Sequence, residues 1–135
     1  MIRVVVDTNV LISALIKRGK PNRLLRKIIR EHTLIMSIEI LAELSDVLSR
    51  DKFMVKRSQV NQFLLVIAKK SKIAAIRSPL KVVAVDPDDD AVISTAFYGK
   101  AEYIVTGDEH LLALKEFKNI QIITVNQMLN ILDLT

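Results

Sequence analysis

The stretch VVVDTNVLISAL, residues 4–15, decides the fold. Three consecutive Val residues suit a strand buried on both faces, where branched side chains pack against the pleat. The apolar run stops on Asp7, passes through Thr8 and Asn9, and resumes at Val10, Leu11 and Ile12 with helical spacing. Acids are rarely buried without a partner. A strand that hands over to a helix through a carboxylate therefore predicts an α/β unit with a functional acid, Asp7, at the carboxyl end of its first strand.

Working outward, the same alternation recurs. Strand-like runs occupy residues 2–6, TLIMS (33–37), YIVT (103–106) and IQIITV (120–125), while IAAIR (73–77) and KVVAV (81–85) read as short strands or one irregular strand. Helical periodicity covers 10–16, 22–32 with Asn22 as its expected cap, 38–50, 58–71, 88–99 and 108–116, before a short final helix. No repeat, linker or compositional break divides the chain, so residues 1–135 form one domain. Apolar strands alternating with amphipathic helices predict an α/β Rossmann-like, three-layer sandwich. Its parallel sheet of about five strands carries helices on both faces. Such sheets bind ligands at the carboxyl ends of their strands, where Asp7 lies.

Composition narrows the function. Half of the 135 residues are apolar, only three are Gly and three Pro, and none is Cys. The chain is therefore not a disordered one, and disulfides, thiolate nucleophiles and cysteine-bearing zinc sites are excluded. No apolar run reaches the roughly 18 residues of a membrane span, and Asp7 and Asn9 interrupt the N-terminal apolar segment, so a cytoplasmic protein without membrane contact is expected. The net charge is +5. Lys17, Arg18, Lys20, Arg23, Arg26, Lys27 and Arg30 follow one another with no acid between them, whereas DPDDD (86–90) is strongly acidic. Patches of opposite sign suit a polyanion held at one place and a cation at another.

Helical phase sorts the acids. In 38–50 the apolar stripe centres near Leu44, which leaves Asp46 on the far side and Glu39 well away. Glu43, at the border, is the most inward of the three. Asp89 precedes Val92, Ile93 and Ala96 by three, four and seven residues and so shares their buried face, whereas Asp90 lines up with Ser94 and Phe97. Asp88 and Asp108 suit N-caps, a role that needs no ligand. Parallel strands nevertheless bring Asp7, Glu43, Asp89 and Asp108 toward one cleft. Two carboxylates about 4 Å apart repel by about 4 kcal/mol at an effective dielectric of 20, so the group must take up protons or a cation. Carboxylate oxygens without His or Cys favour Mg²⁺ or Mn²⁺ over zinc.

These motifs resemble those of the PIN domain nucleases, in particular the VapC-type toxins of toxin–antitoxin pairs, along essentially the whole chain. VVVDTNVLISAL is similar to the family's first motif, with its acid at Asp7. SIEILAELSDVL places the second at Glu43, and DPDDDAVISTAFYGKAEYIVTGDEHLL places the third and fourth at Asp89 and Asp108, with Asp90 and Asp86 as alternatives for the third. The resemblance implies an Mg²⁺- or Mn²⁺-dependent endoribonuclease, a homodimer and, for the toxin branch, a small antitoxin partner. In this reading Asn9, Thr106 and Ser37 orient metal-bound water or a phosphate oxygen, and Lys17, Arg18, Lys20, Arg23, Arg26 and Lys27 grip the RNA backbone.

Other readings make distinct demands. An RNA-processing relative would lack the antitoxin, and a non-catalytic nucleic-acid-binding module would leave RNA intact with Mn²⁺ present. A metal-independent ribonuclease would need His32 and His110 to act together as acid and base. No Walker loop or G-x-G-x-x-G fingerprint occurs around Gly19, Gly99 or Gly107. Leu65 and Val66 fall outside the main stripe of their helix and mark a surface for self-association or antitoxin docking.

Overall fold

The computed structural model describes residues 1–50, 53–82 and 87–133. Strand β1 (Arg3–Val6) is followed by helices α1 (Thr8–Ile16) and α2 (Lys20–Glu31), and β2 (Thr33–Met36) by α3 (Ile38–Leu48) and α4 (Arg57–Lys70). Then come β3 (Ser71–Ile73), α5 (Pro87–Tyr98), β4 (Tyr103–Val105), α6 (Glu109–Leu114), β5 (Glu116–Phe117), β6 (Ile120–Ile123) and α7 (Val125–Asp133). The sheet order is β3-β2-β1-β4-β6-β5, parallel from β3 to β6 with β5 antiparallel at the edge. No helix among the described residues is long and apolar enough to cross a membrane.

Both faces of the sheet are covered. Val4, Val5 and Val6 point alternately to opposite faces, yet none is more than 1% exposed. The chain winds outward from β1 through β2 to β3 and then returns to lay β4 on the other side of β1. Right-handed crossovers in opposite directions put their helices on opposite faces, so α5 lies across from α1 to α4. Helix α5 packs on β1, β4 and β2, and α7 joins the other layer against α2.

Register fixes what the α5 face carries. Val5 pairs with Ile35 and with Ile104, so Arg3, Val5 and Asp7 share that face with Ile35, Ser37 and Thr106. The Arg3 guanidinium donates to the carbonyls of Gly99 and Lys100 and so closes the C-terminal end of α5, where a cation is favoured. Gly99 permits the approach. A Cβ there would collide with Ile35 Cγ2 and stand 2.8 Å from the Thr95 carbonyl oxygen.

Three local expectations are corrected. Asn22 is inside α2 rather than its cap, because Pro21, with φ already helical, lets the helix begin at Lys20 after Gly19. The Asn22 side chain instead donates to the Ala14 carbonyl at 2.8 Å. The edge strand β3 pairs at Ser71–Ile73, ahead of most of the expected 73–77 run, and its largely exposed residues leave no apolar signature; residues 83–86 of the second run lie outside the described residues. The helix expected at 108–116 stops at Leu114, since Lys115 adopts φ 63° and the chain turns back through Lys118 and Asn119 (φ 46° and 69°) as the β5–β6 hairpin. A two-residue turn of this kind usually advertises itself with Gly, and here none is present.

Gly99→Ala is expected to destabilise the fold by about 1–3 kcal/mol in urea unfolding, as overpacking does. Gly19→Ala, with nothing within 4 Å of the new methyl, should shift stability by less than about 0.5 kcal/mol.

Candidate active site

The ends of β2, β1 and β4 stand side by side, and the first residue beyond each is polar: Ser37, Asp7 and Thr106. All three are buried. The crossover direction reverses between β1 and β4, so Asp7 and Thr106 flank the switch point where ligand sites form in such sheets.

Asp7 ends β1 and also starts α1. Its carbonyl oxygen accepts the amides of Val10 and Leu11, and its own amide donates to Val105 O at 2.9 Å. Its carboxylate makes no cap bond to α1. It turns toward β4, where the Thr106 hydroxyl donates to Asp7 Oδ2 at 2.7 Å. The same Thr106 oxygen accepts the Asp108 amide at 3.0 Å, so one hydroxyl ties the first acid to the backbone of the last. Asp108 is half-buried, and its Oδ1 accepts the His110 amide at 2.7 Å as the N-cap of α6. Capping leaves the other carboxylate oxygen of Asp108 outside that bond.

The remaining acids approach from two helices. Asp89, 5% exposed, lies in the first turn of α5, where the helix dipole favours an anion. Its position is set by Thr95, one and a half turns farther on, whose hydroxyl meets Ser37 Oγ at 2.8 Å. Asp90 is engaged elsewhere: its Oδ1 accepts the Val82 amide at 2.8 Å, and Ser94, one turn on, accepts the Leu80 amide. Asp86 and the Asp88 side chain lie outside the described residues. Glu43 is half-buried on α3, about 9 Å along the helix axis from Ser37, while Glu39 and Asp46 are exposed.

Several expected roles change. Ser37 caps α3 by accepting the Ile40 amide at 3.2 Å, and Thr95 spends its proton on the Ala91 carbonyl, so Ser37 donates to Thr95. Ser37 is fully buried, and these two bonds hold α3 to α5. Asn9 is exposed on the first turn of α1. Arg23 and Lys27 are not open cations, because both pair with Asp133 of α7 (3.2 and 3.3 Å), whereas Lys17, Arg18, Lys20 and Arg26 are exposed. The two histidines cannot share a phosphodiester. His32 Nδ1 accepts the Ile2 amide at the opposite end of β1, about 16 Å along the strand from Asp7, and His110 lies beside Asp108.

One residue was not anticipated. Thr8 is 2% exposed, and its hydroxyl has no hydrogen-bond partner. It precedes Leu11 and Ile12 by three and four residues, the phase relation that singles out Asp89, and that signal would have found it. Among the described residues no group of three or more His, Asp or Glu side chains is arranged to hold a metal ion. Mg²⁺, however, needs only one or two carboxylates and keeps several waters. Asp7 and Asp108, joined through Thr106 and adjoining a buried hydroxyl that lacks a partner, fit such an ion in the chemistry of their oxygens.

The comparisons agree with this architecture. Residues 3–110 match the family model of the PIN domain. The chain is 34% identical over 119 residues to the uncharacterized protein MJ1680 of Methanocaldococcus jannaschii, spanning 85% of this chain and 76% of that protein. Among solved structures, PAE2754 from Pyrobaculum aerophilum superposes with a TM-score of 0.69 at 18% identity, covering 99% of this chain and 91% of the other. VapBC2 from Rickettsia felis, bound to a DNA fragment from its promoter, gives 0.65 at 18% identity, with 91% of this chain and 98% of the other covered. FitAcB from Neisseria gonorrhoeae gives 0.57 at 16%, with 90% and 97% covered. A parallel sheet ordered around a buried strand-end carboxylate, with a family match over most of its length, makes this chain a member of the PIN domain family.

Proposed function

We propose that this chain is a divalent-metal-dependent endoribonuclease that hydrolyses phosphodiester bonds in single-stranded or loop RNA. The observation that supports it best is the Asp7–Thr106–Asp108 chain at the switch point, in which one hydroxyl bonds the carboxylate of Asp7 and the backbone amide of Asp108 from distant parts of the sequence. Family membership supports nuclease chemistry, and the net charge of +5 suits a polyanionic substrate.

Asp7 and Asp108 would hold Mg²⁺ or Mn²⁺ directly, with Glu43 and Asp89 acting directly or through water. When bound, such an ion lowers the pKa of coordinated water and offsets charge on the scissile phosphate. The protein's own contribution is alignment and exclusion. Thr106 donates to the Asp7 carboxylate and accepts the Asp108 amide, Asp89 is buried in the first turn of α5, and the exposed amide of Asn9 would contact a phosphate oxygen.

A toxin role with a small antitoxin is favoured by one surface. A groove of about 390 Å³ between α2 and α4 is lined by Leu25, Ile29, Phe63, Val66 and Ile67, and Leu65 beside it is 65% exposed. The similarity of fold to VapBC2 supports the same partner class. Homodimerisation follows from the family resemblance.

Three outcomes are expected. Asp7→Asn should abolish RNA cleavage in Mn²⁺ while the melting temperature, measured in EDTA, stays unchanged or rises. Full activity in that variant would remove the assignment. Thr106→Val should lower stability by about 2 kcal/mol, the worth of a buried hydrogen bond to a charged acceptor, and reduce cleavage with it. Thr106→Ser should restore both, and a Val variant as active as the parent would leave Thr106 without a positioning role. Val66→Glu should block co-purification with the product of an adjacent short reading frame yet leave cleavage intact, and retained co-purification would place the antitoxin elsewhere.

A further inference from the structure

Thr106 ties Asp7 to Asp108 at one end of the sheet, and two of the α2 cations expected to serve that end are paired. Arg23 and Lys27 of α2 face Asp133, and Lys27 also lies 4.0 Å from Glu31. A different surface has the opposite character. Helix α5 packs on β1, β4 and β2 and leaves the β3 side of its face open. There a cleft of about 740 Å³ lies between the C-terminal half of α5 and β3. Its walls carry Lys72, Arg77 and Lys100 and no acid. Arg3 also borders it but is committed to the α5 carbonyls.

The cations are spaced along the cleft. Lys72 pairs in register with Ile35, which puts its side chain on the α5 face, partway up the sheet. Lys100 lies just beyond the C-terminus of α5, near the amino ends of the strands, where Arg3 binds its carbonyl. Arg77 lies beyond β3 and next to Ser78, whose amide donates to the Tyr98 hydroxyl and whose carbonyl accepts from it at the C-terminal end of α5. The three cations thus gather around the C-terminal end of α5. Phe97, 37% exposed, borders the same cleft, with Lys118 Nζ 5.8 Å from its ring centroid. Cations at intervals beside an exposed ring suit a flexible phosphodiester strand, whose backbone they neutralise while a base rests on the ring.

We infer that this cleft binds single-stranded nucleic acid, with Lys72, Arg77 and Lys100 on phosphates and Phe97 against a base. The inference takes its substrate class from the nuclease reading above. Its test separates binding from cleavage. Anisotropy of a 5′-labelled oligouridylate is titrated with the Asp7→Asn chain in EDTA, with and without Lys72→Glu, Arg77→Glu and Lys100→Glu together. The charge-matched comparison is Lys20→Glu, Arg26→Glu and Arg30→Glu on α2.

The cleft variant should weaken binding at least tenfold and flatten the dependence of log K on log salt by about 2, since each phosphate contact on a single strand contributes about 0.7. Phe97→Ala should weaken binding and leave the salt slope as it was. Binding that falls only in the α2 variant, or equally in both, would overturn the inference. So would a parent chain that binds no oligonucleotide but forms a dimer that the cleft variant dissociates, because a second copy would then be the occupant. A parent chain that binds through the cleft but cleaves nothing with Mn²⁺ would overturn the nuclease reading and support the cleft as a binding surface.

Discussion

A carboxylate buried at the end of an apolar strand is the constraint on which the rest of this structure depends. Moving an ionised acid out of water is costly unless hydrogen bonds or a counter-charge replace the lost hydration. Asp7 has its backbone committed to two elements at once: its amide bonds β4, and its carbonyl oxygen starts α1. The side chain can therefore approach only what the sheet places beside it. That neighbour is Thr106, whose single hydroxyl both donates to Asp7 and accepts from the Asp108 amide. The register of β1 on β4 thus holds a strand-end acid at the switch point.

The α5 face extends that constraint to the other acids. Arg3 and Gly99 draw the C-terminal end of α5 down onto β1 and β2, and Ser37 meets Thr95 one turn nearer the site. A helix pinned at two points along its length has its first turn fixed as well, and that turn carries Asp89. Ser37 and Thr95 bond each other inside the protein and so add rigidity there. The cleft beside α5 has the same origin, because a helix centred over β1 cannot also cover β3.

Charge is partitioned by the fold. Local sequence gives α2 a run of cations, yet tertiary packing brings Asp133 against Arg23 and Lys27, so part of that run joins α7 to α2. Both pairs reach solvent, Arg23 more than Lys27, and each contributes little to stability. Their main effect is to neutralise two cations of that run, while Lys72, Arg77 and Lys100 come together from two separate segments.

The sequence by itself determined what depends on neighbours a few residues apart. Triple Val followed by Asp7 marked a buried strand end, alternating periodicities marked a parallel sheet with two helical layers, and helical phase identified Asp89 and Glu43 as the inward acids of their helices. Those features follow from backbone periods of two and 3.6, which any short window reveals. Only the tertiary structure decided that Thr106 bridges Asp7 and Asp108, that Ser37 is consumed by Thr95, that His32 and His110 stand at opposite ends of the sheet, and that β5 turns back on β6. The contact between Thr106 and Asp7 joins residues 99 positions apart. Pairings of that range are set by strand order and register, which no local period encodes.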